Sequence, residues 1–213
     1  MPRNGEPMTA PAAPEFLFDF GSPNCFLVHR ALPALEARTG VRFRYAPILL
    51  GGVFKATGNR SPMEKEAGCE AKLAYLALEN RRFIDRHGIA DFRRNPHFPV
   101  NTLGLMRGAV AARRMGVYEL YVEEMFRAMW TEGLNMADPE VLAGRLAVAG
   151  LDAPALIAAA QDPEVKAELV AETEAAVARG TFGAPTIFVG EEIFFGKDSL
   201  GLVEEAIVAA TAA

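Results

Sequence analysis

Apolar and polar positions follow several rhythms along the chain. Residues 15–20, EFLFDF, form a short apolar run bounded by Pro14 and Gly21, the pattern of a strand buried on both faces. Residues 41–46, VRFRYA, set Val41, Phe43 and Tyr45 against Arg42 and Arg44, the two-residue period of a strand with one wetter face. Between them Ser22-Pro23 carries helix-start chemistry. A serine oxygen accepts from open amides at an N-cap, and a proline next to it gives up an N–H that the helix does not use. The helix predicted there runs to about Thr39 and stops at Gly40. Strand, helix, strand at the start of a chain points to parallel pairing.

The rhythm then becomes helical. Residues 49–59, LLGGVFKATGN, read as a glycine-bearing loop too apolar for a plain linker. Ser61-Pro62-Met63-Glu64 has the spacing of a capping box, opening a long helix that Gly88 ends. Asn101 caps a segment ending near Gly116, Tyr118 to Trp130 has helical spacing, and Asp138-Pro139 and Asp162-Pro163 open two more helices. After Gly180 the strand signals return in PTIFVG and EEIFF, joined around Gly190-Glu191-Glu192 as a hairpin, and Asp198 to Ala210 closes as a helix. The expected organisation is a mobile tail at 1–14, one core made of 15–58 and 180–213, and a helical domain inserted at 59–179.

Composition narrows the function classes. A chain of 213 residues that is 51% hydrophobic fills one domain, or one core with a large insertion. With 22 basic residues against 27 acidic ones and no basic run, it lacks the electrostatic footprint of a nucleic-acid binder. No stretch approaches the roughly 18 apolar residues of a membrane helix. MPRNGEPMTAPAAP has no signal-peptide pattern, so the expected location is the cytoplasm and the expected state of Cys25 and Cys69 is reduced. His87 and His97 have no Cys or carboxylate partners at ligand spacing, and no glycine cluster has phosphate-loop context, so neither metal nor nucleotide is expected.

With this element order, FDFGSPNCF at the first strand-to-helix turn and FGAPTIFVG before the hairpin together carry a family resemblance. From about Phe16 to Ala210 the chain resembles the 2-hydroxychromene-2-carboxylate isomerases and their kappa-class glutathione transferase relatives. The resemblance implies an α/β thioredoxin fold with a large inserted all-helical domain, shared with periplasmic disulfide oxidoreductases. Ser22 and Cys25 then occupy the two cysteine positions of a redox C-x-x-C motif. A hydroxyl forms no disulfide, but the amides and dipole at a helix start stabilise an anion. The field that would activate a protein cysteine instead favours the thiolate of a bound thiol, with the Ser22 hydroxyl donating to it. In the family that thiol is the cofactor glutathione. Read alone, Ser-Pro is only a helix cap.

The resemblance also assigns the other site residues. Pro185 matches a cis-proline, turning Ala184 toward the thiol so that its backbone pairs with glutathione as a further strand would. Gly196, Lys197, Asp198 and Ser199 match the turn that holds the γ-glutamyl end: Asp198 accepts from its ammonium, and Ser199 with nearby amides binds its carboxylate. The family often has arginine at the Ser199 position, and Asp198 reads equally as an N-cap. Gly58 and Asn59 match a substrate-facing pair, joined by Lys55 and Arg82 as anion contacts and Trp130 as an aromatic wall. Cys25, one turn into the helix, is expected to be inert packing. His29 lies about 10 Å up the helix from Ser22, too far to be its base.

The implied function is glutathione-dependent isomerisation of a bicyclic hydroxy-acid to an open-chain trans-hydroxybenzylidenepyruvate, a step in naphthalene-type aromatic degradation, by a homodimer. Two alternatives remain open: a glutathione transferase or Cys25-based monothiol oxidoreductase, and a glutathione-binding module without catalysis.

Overall fold

The computed structural model describes residues 13–212. Positions 1–12 of the expected tail lie outside the described residues. Strand β1 (Glu15–Phe18), helix α1 (Pro23–Thr39) and strand β2 (Arg44–Pro47) open the chain in the predicted order. α1 starts on Ser22 and stops where Gly40 takes φ 71°, a conformation that needs no side chain. β2 begins three residues after Val41 because Glu36 of α1 captures the preceding segment. Its carboxylate accepts from the Phe43 amide at 2.8 Å and from Arg42 Nη1 at 3.1 Å.

The expected loop at 49–59 is instead largely helix α2 (Leu50–Thr57). Gly51 and Gly52 weaken its intrinsic propensity, so it is held from outside. The Leu50 amide donates to Asp19 Oδ2 at 2.9 Å and the Leu49 amide to Thr173 Oγ1 at 3.0 Å. A Cβ on Gly52 would approach Thr173 Cγ2 to 3.3 Å, so the small residue permits the contact. The long helix predicted from Ser61 is two pieces, α3 (Pro62–Lys65) and α4 (Glu70–His87). The Ser61–Glu64 capping box forms, but Gly68 at φ 93° breaks the run and leaves Cys69 at the start of α4.

Five further helices follow: α5 (Leu103–Arg114), α6 (Tyr118–Trp130), α7 (Pro139–Val148), α8 (Ala153–Ala159) and α9 (Pro163–Ala178). Asp138 and Asp162 cap α7 and α9 as predicted. Thr102 stands immediately before α5, but it is the Asn101 side chain that accepts from the first amide of the helix, Leu103 N–H, at 3.0 Å, as predicted. α8 has no counterpart in the sequence pattern, because seven residues are too few to show a period. Strands β3 (Thr186–Val189) and β4 (Glu192–Phe195) make the hairpin, a 3₁₀ turn spans Lys197–Ser199, and α10 (Leu200–Ala212) closes the described chain.

The sheet order is β2-β1-β3-β4, with β1 parallel to β2 and antiparallel to β3, and β3 antiparallel to β4. Phe16, Phe18, Ile187 and Phe194 share one core cluster with Phe26 and Leu32 of α1, Phe126 and Trp130 of α6, and Val203 and Ile207 of α10. Leu17, Ala46 and Phe188 face the other way, onto Val53 of α2 and Ala176 of α9. Both faces of β1 are therefore buried, as its unbroken apolar run requires. α9 falls within 59–179 and yet covers the sheet's second face.

Candidate active site

Three segments distant in sequence meet at the start of α1. Ser22 is 6% exposed and holds extended backbone angles, φ −94° and ψ 115°. Its amide donates to Asp19 O at 3.0 Å, which closes the turn out of β1. Its Oγ accepts from the Cys25 amide at 3.3 Å and donates to Ala184 O at 3.2 Å. The Ala184–Pro185 peptide is cis, as expected. Pro185 O in turn accepts from the Gly196 amide at 3.0 Å, which ties the 3₁₀ turn to the same point. Two hydrogen bonds, one on either side of the Ala184–Pro185 peptide, thus tie Ser22 and Gly196 to the same segment.

The helix start favours an anion there, against the charge of the neighbouring Asp19 carboxylate. The first turn of α1 carries no acidic side chain, so the amides and dipole at its start are not cancelled within the helix. Among the described residues nothing accepts from the Ala184 N–H, although Ala184 is only half-buried. Cys25 is fully buried. Burial pushes its thiol up to about 12, against opposing hydrogen bonds from Ser22 and the Asp19 backbone. Such a thiol is protonated at neutral pH and makes a poor nucleophile.

In the 3₁₀ turn the Lys197 and Ser199 side chains are both engaged within the protein. The Lys197 side chain is 4% exposed, its Nζ bonded to Asp198 Oδ2 at 2.5 Å and 5.4 Å from the centre of the Phe83 ring. Its ammonium therefore points into α4, and only its backbone is free for a ligand. The Ser199 hydroxyl donates to Gly196 O at 2.8 Å, so it braces its own turn. Asp198 is 66% exposed at the side chain and keeps an open carboxylate edge.

The substrate-side residues are scattered. Lys55 is exposed on the last turn of α2 and Gly58 is exposed just past its end. Asn59 Nδ2 donates to Phe182 O at 2.6 Å, which pins the end of α2 to the loop before Ala184. Arg82 is exposed on α4, beside the buried Phe83 through which that helix packs, and no described bond links it to the Ser22 turn. Trp130 is not a pocket wall. It is 1% exposed, stacked beside Phe92, and its Nε1 donates to Phe20 O at 2.7 Å. A ring enclosed by core offers no face to a ligand, and its work is to hold the residue two before Ser22. His29 is engaged elsewhere, between the Tyr45 hydroxyl at 2.9 Å and Glu123 Oε2 at 2.8 Å. That pair lines a cleft of about 680 Å³ that does not include Ser22.

A family model described as a DSBA-like thioredoxin domain matches residues 15–208. A 2-hydroxychromene-2-carboxylate isomerase of Sphingobium xenophagum is 31% identical over 91% of this chain and 97% of its own length. A solved structure of a 2-hydroxychromene-2-carboxylate isomerase superposes with a TM-score of 0.79 at 27% identity, covering 92% of this chain and 95% of that one. The chain belongs to the 2-hydroxychromene-2-carboxylate isomerase family. It is an enzyme of that family, on an α/β thioredoxin fold of the DSBA-like kind that carries a helical insertion. Glutathione S-transferase kappa 1 of Homo sapiens is a more distant relative, 23% identical over 91% of this chain and 90% of its own length.

Two residues with structural claims on this isomerase-family site carry no assignment from sequence reasoning. Asp19 is 2% exposed and accepts from the Gly21 amide, the Leu50 amide and the Thr102 hydroxyl. Its signal is visible in the sequence as the one charge inside EFLFDF after the strand begins. Phe182 is 42% exposed and rests against Phe195, ring centres 4.5 Å apart, beside the Ala184 loop. Exposure of that pair has no signature in sequence.

Proposed function

We propose that this enzyme is a glutathione-dependent isomerase of 2-hydroxychromene-2-carboxylate-like acids, acting in aromatic-compound degradation. The observation that carries the proposal is the Ser22 hydroxyl at the helix start, bonded to Ala184 O, with the only nearby protein thiol buried and protonated. A site built like a thiolate site but lacking a reactive thiol suits one brought in by a ligand.

The donor set fits glutathione. The free Ala184 N–H is placed to pair with a peptide carbonyl, and the exposed Asp198 carboxylate suits an ammonium group. When bound, glutathione supplies a nucleophilic thiol that is regenerated at the end of the reaction. Ser22 has one hydroxyl proton, and it turns from Ala184 O to the ligand's sulfur while its oxygen still caps Cys25 N–H. The Asn24 amide and the dipole of α1 add their field at the same atom. Pro185 and Gly196 hold the two ligand-facing segments in register. Lys55 and the free Asn59 Oδ1 orient the acid from the end of α2. The same reading takes the protein to be a cytoplasmic homodimer.

Incubating the purified enzyme with 2-hydroxychromene-2-carboxylate and trace glutathione tests the proposal. The expected result is many products per glutathione, with none formed when glutathione is left out. Consumption of one glutathione per product would make it a transferase, and turnover without any thiol would overturn the cofactor assignment.

A further inference from the structure

We infer that Asp19 is a positioning residue that locks helix α2 to the turn bearing Ser22, an inference that rests on the isomerase reading for its kinetic consequence. The carboxylate is buried and spends both oxygens. Oδ1 accepts from the Gly21 amide at 2.8 Å and the Thr102 hydroxyl at 2.7 Å, and Oδ2 accepts from the Leu50 amide at 2.9 Å. The Asp19 carbonyl accepts from the Ser22 amide at 3.0 Å. One residue therefore shapes the Ser22 turn through its backbone and Gly21, and holds the first residue of α2 through its side chain.

α2 needs such a hold. Its N-cap, Leu49, has no side-chain acceptor to offer, and of its eight residues only Val53 is buried. An isolated two-turn helix is unstable in water, and its first amides are orphans. Asp19 acts as a capping carboxylate supplied from another element, helped by Thr173 at Leu49. At the far end, Asn59 bonds Phe182 O. α2 is thus fastened at one end to the turn that presents Ser22 and at the other to the loop that presents Ala184. The residues it carries toward substrate, Lys55 and Asn59, inherit their place from those two anchors. Burial raises the Asp19 carboxyl above its usual range, and its three hydrogen bonds pull the other way. The Gly21 and Leu50 amides can only donate, one to each oxygen, so the site calls for an acceptor at both, whichever way the Thr102 hydroxyl turns.

Asp19→Asn tests this, because an amide of the same shape sets an NH₂ against the Leu50 N–H when its oxygen keeps Gly21 and Thr102. Hydrogen–deuterium exchange should accelerate about tenfold across residues 50–57 and stay near the parent value across 23–39, as expected for loss of a charge-assisted cap. KM for the chromene acid should rise about tenfold while the affinity for glutathione holds. Thr102→Val removes one donor from the same carboxylate but spares the Leu50 bond, and should leave both exchange in α2 and KM unchanged. If Asp19→Asn does not fold, the parent decides: its Leu50 amide should be strongly protected. Unchanged exchange in α2, acceleration spread evenly over the chain, or an unprotected Leu50 amide in the parent would each overturn the inference. Absence of chromene turnover by the parent would overturn the isomerase reading and leave the exchange test of Asp19 intact.

Discussion

Ser22→Ala separates the two tasks of this hydroxyl. As an N-cap, Ser22 satisfies the Cys25 amide at 3.3 Å, and losing such a cap costs about 1 kcal/mol. In a chain of 213 residues that lowers the melting temperature by about 2–4 °C. As a donor to a developing or bound thiolate in a site 6% exposed, the same hydroxyl is worth more, about 10²–10³ in kcat by analogy with a lost oxyanion donor. The variant should therefore fold, melt slightly early, and lose nearly all turnover at saturating glutathione. Ser22→Thr, which keeps a hydroxyl and a cap, should keep more of the rate. Thermal melting by circular dichroism and initial rates under saturating glutathione read the two effects separately. A Ser22→Ala enzyme that melts as expected yet turns over at the parental rate would refute the assignment.

Cys25→Ala should leave isomerase turnover nearly unchanged while costing about 1 kcal/mol from the small cavity, measured by urea unfolding; loss of turnover would favour a redox role. Trp130→Phe strands the buried Phe20 carbonyl, which costs about 1–3 kcal/mol, so the melting temperature should fall without a selective rise in KM for the aromatic acid. A KM effect alone would restore Trp130 to the substrate pocket. Glu123 is held below its usual 4.5 chiefly by the hydrogen bond from His29 and then by His29 and Arg30 charge. A depressed carboxyl stabilises the fold above the unfolded value and loses that contribution as pH falls through the folded one. Glu123→Gln should therefore narrow the stability difference between pH 6 and acid, by less than about 1 kcal/mol for a half-exposed pair. An acid-unfolding midpoint that does not move would remove that contribution.

What the sequence made legible was local. Gly40, Gly88 and the Asp-Pro starts of α7 and α9 each announce themselves through a residue whose own backbone or side-chain chemistry suits a helix end. Ser22 and Pro185 were legible as a pair because their two motifs lie in a fixed element order, and the structure joins them through Ala184 O. What failed was non-local. α2 depends on a carboxylate 31 positions upstream and a threonine 124 downstream, so its glycines read as loop. Trp130 reads as a pocket wall until burial and its bond to Phe20 O place it in the core. In each case tertiary contacts decide what periodicity and residue type leave open.

On the proposed function, Ser22 and the start of α1 hold a ligand's thiol as thiolate. Titrating the ultraviolet absorbance of the thiolate in the glutathione complex tests it most directly, with Ser22→Ala alongside. In the parent the bound thiol should ionise well below the value of about 8.5 for a free cysteine thiol, and in Ser22→Ala it should move back up. A bound thiol titrating like the free one in the parent enzyme would contradict it.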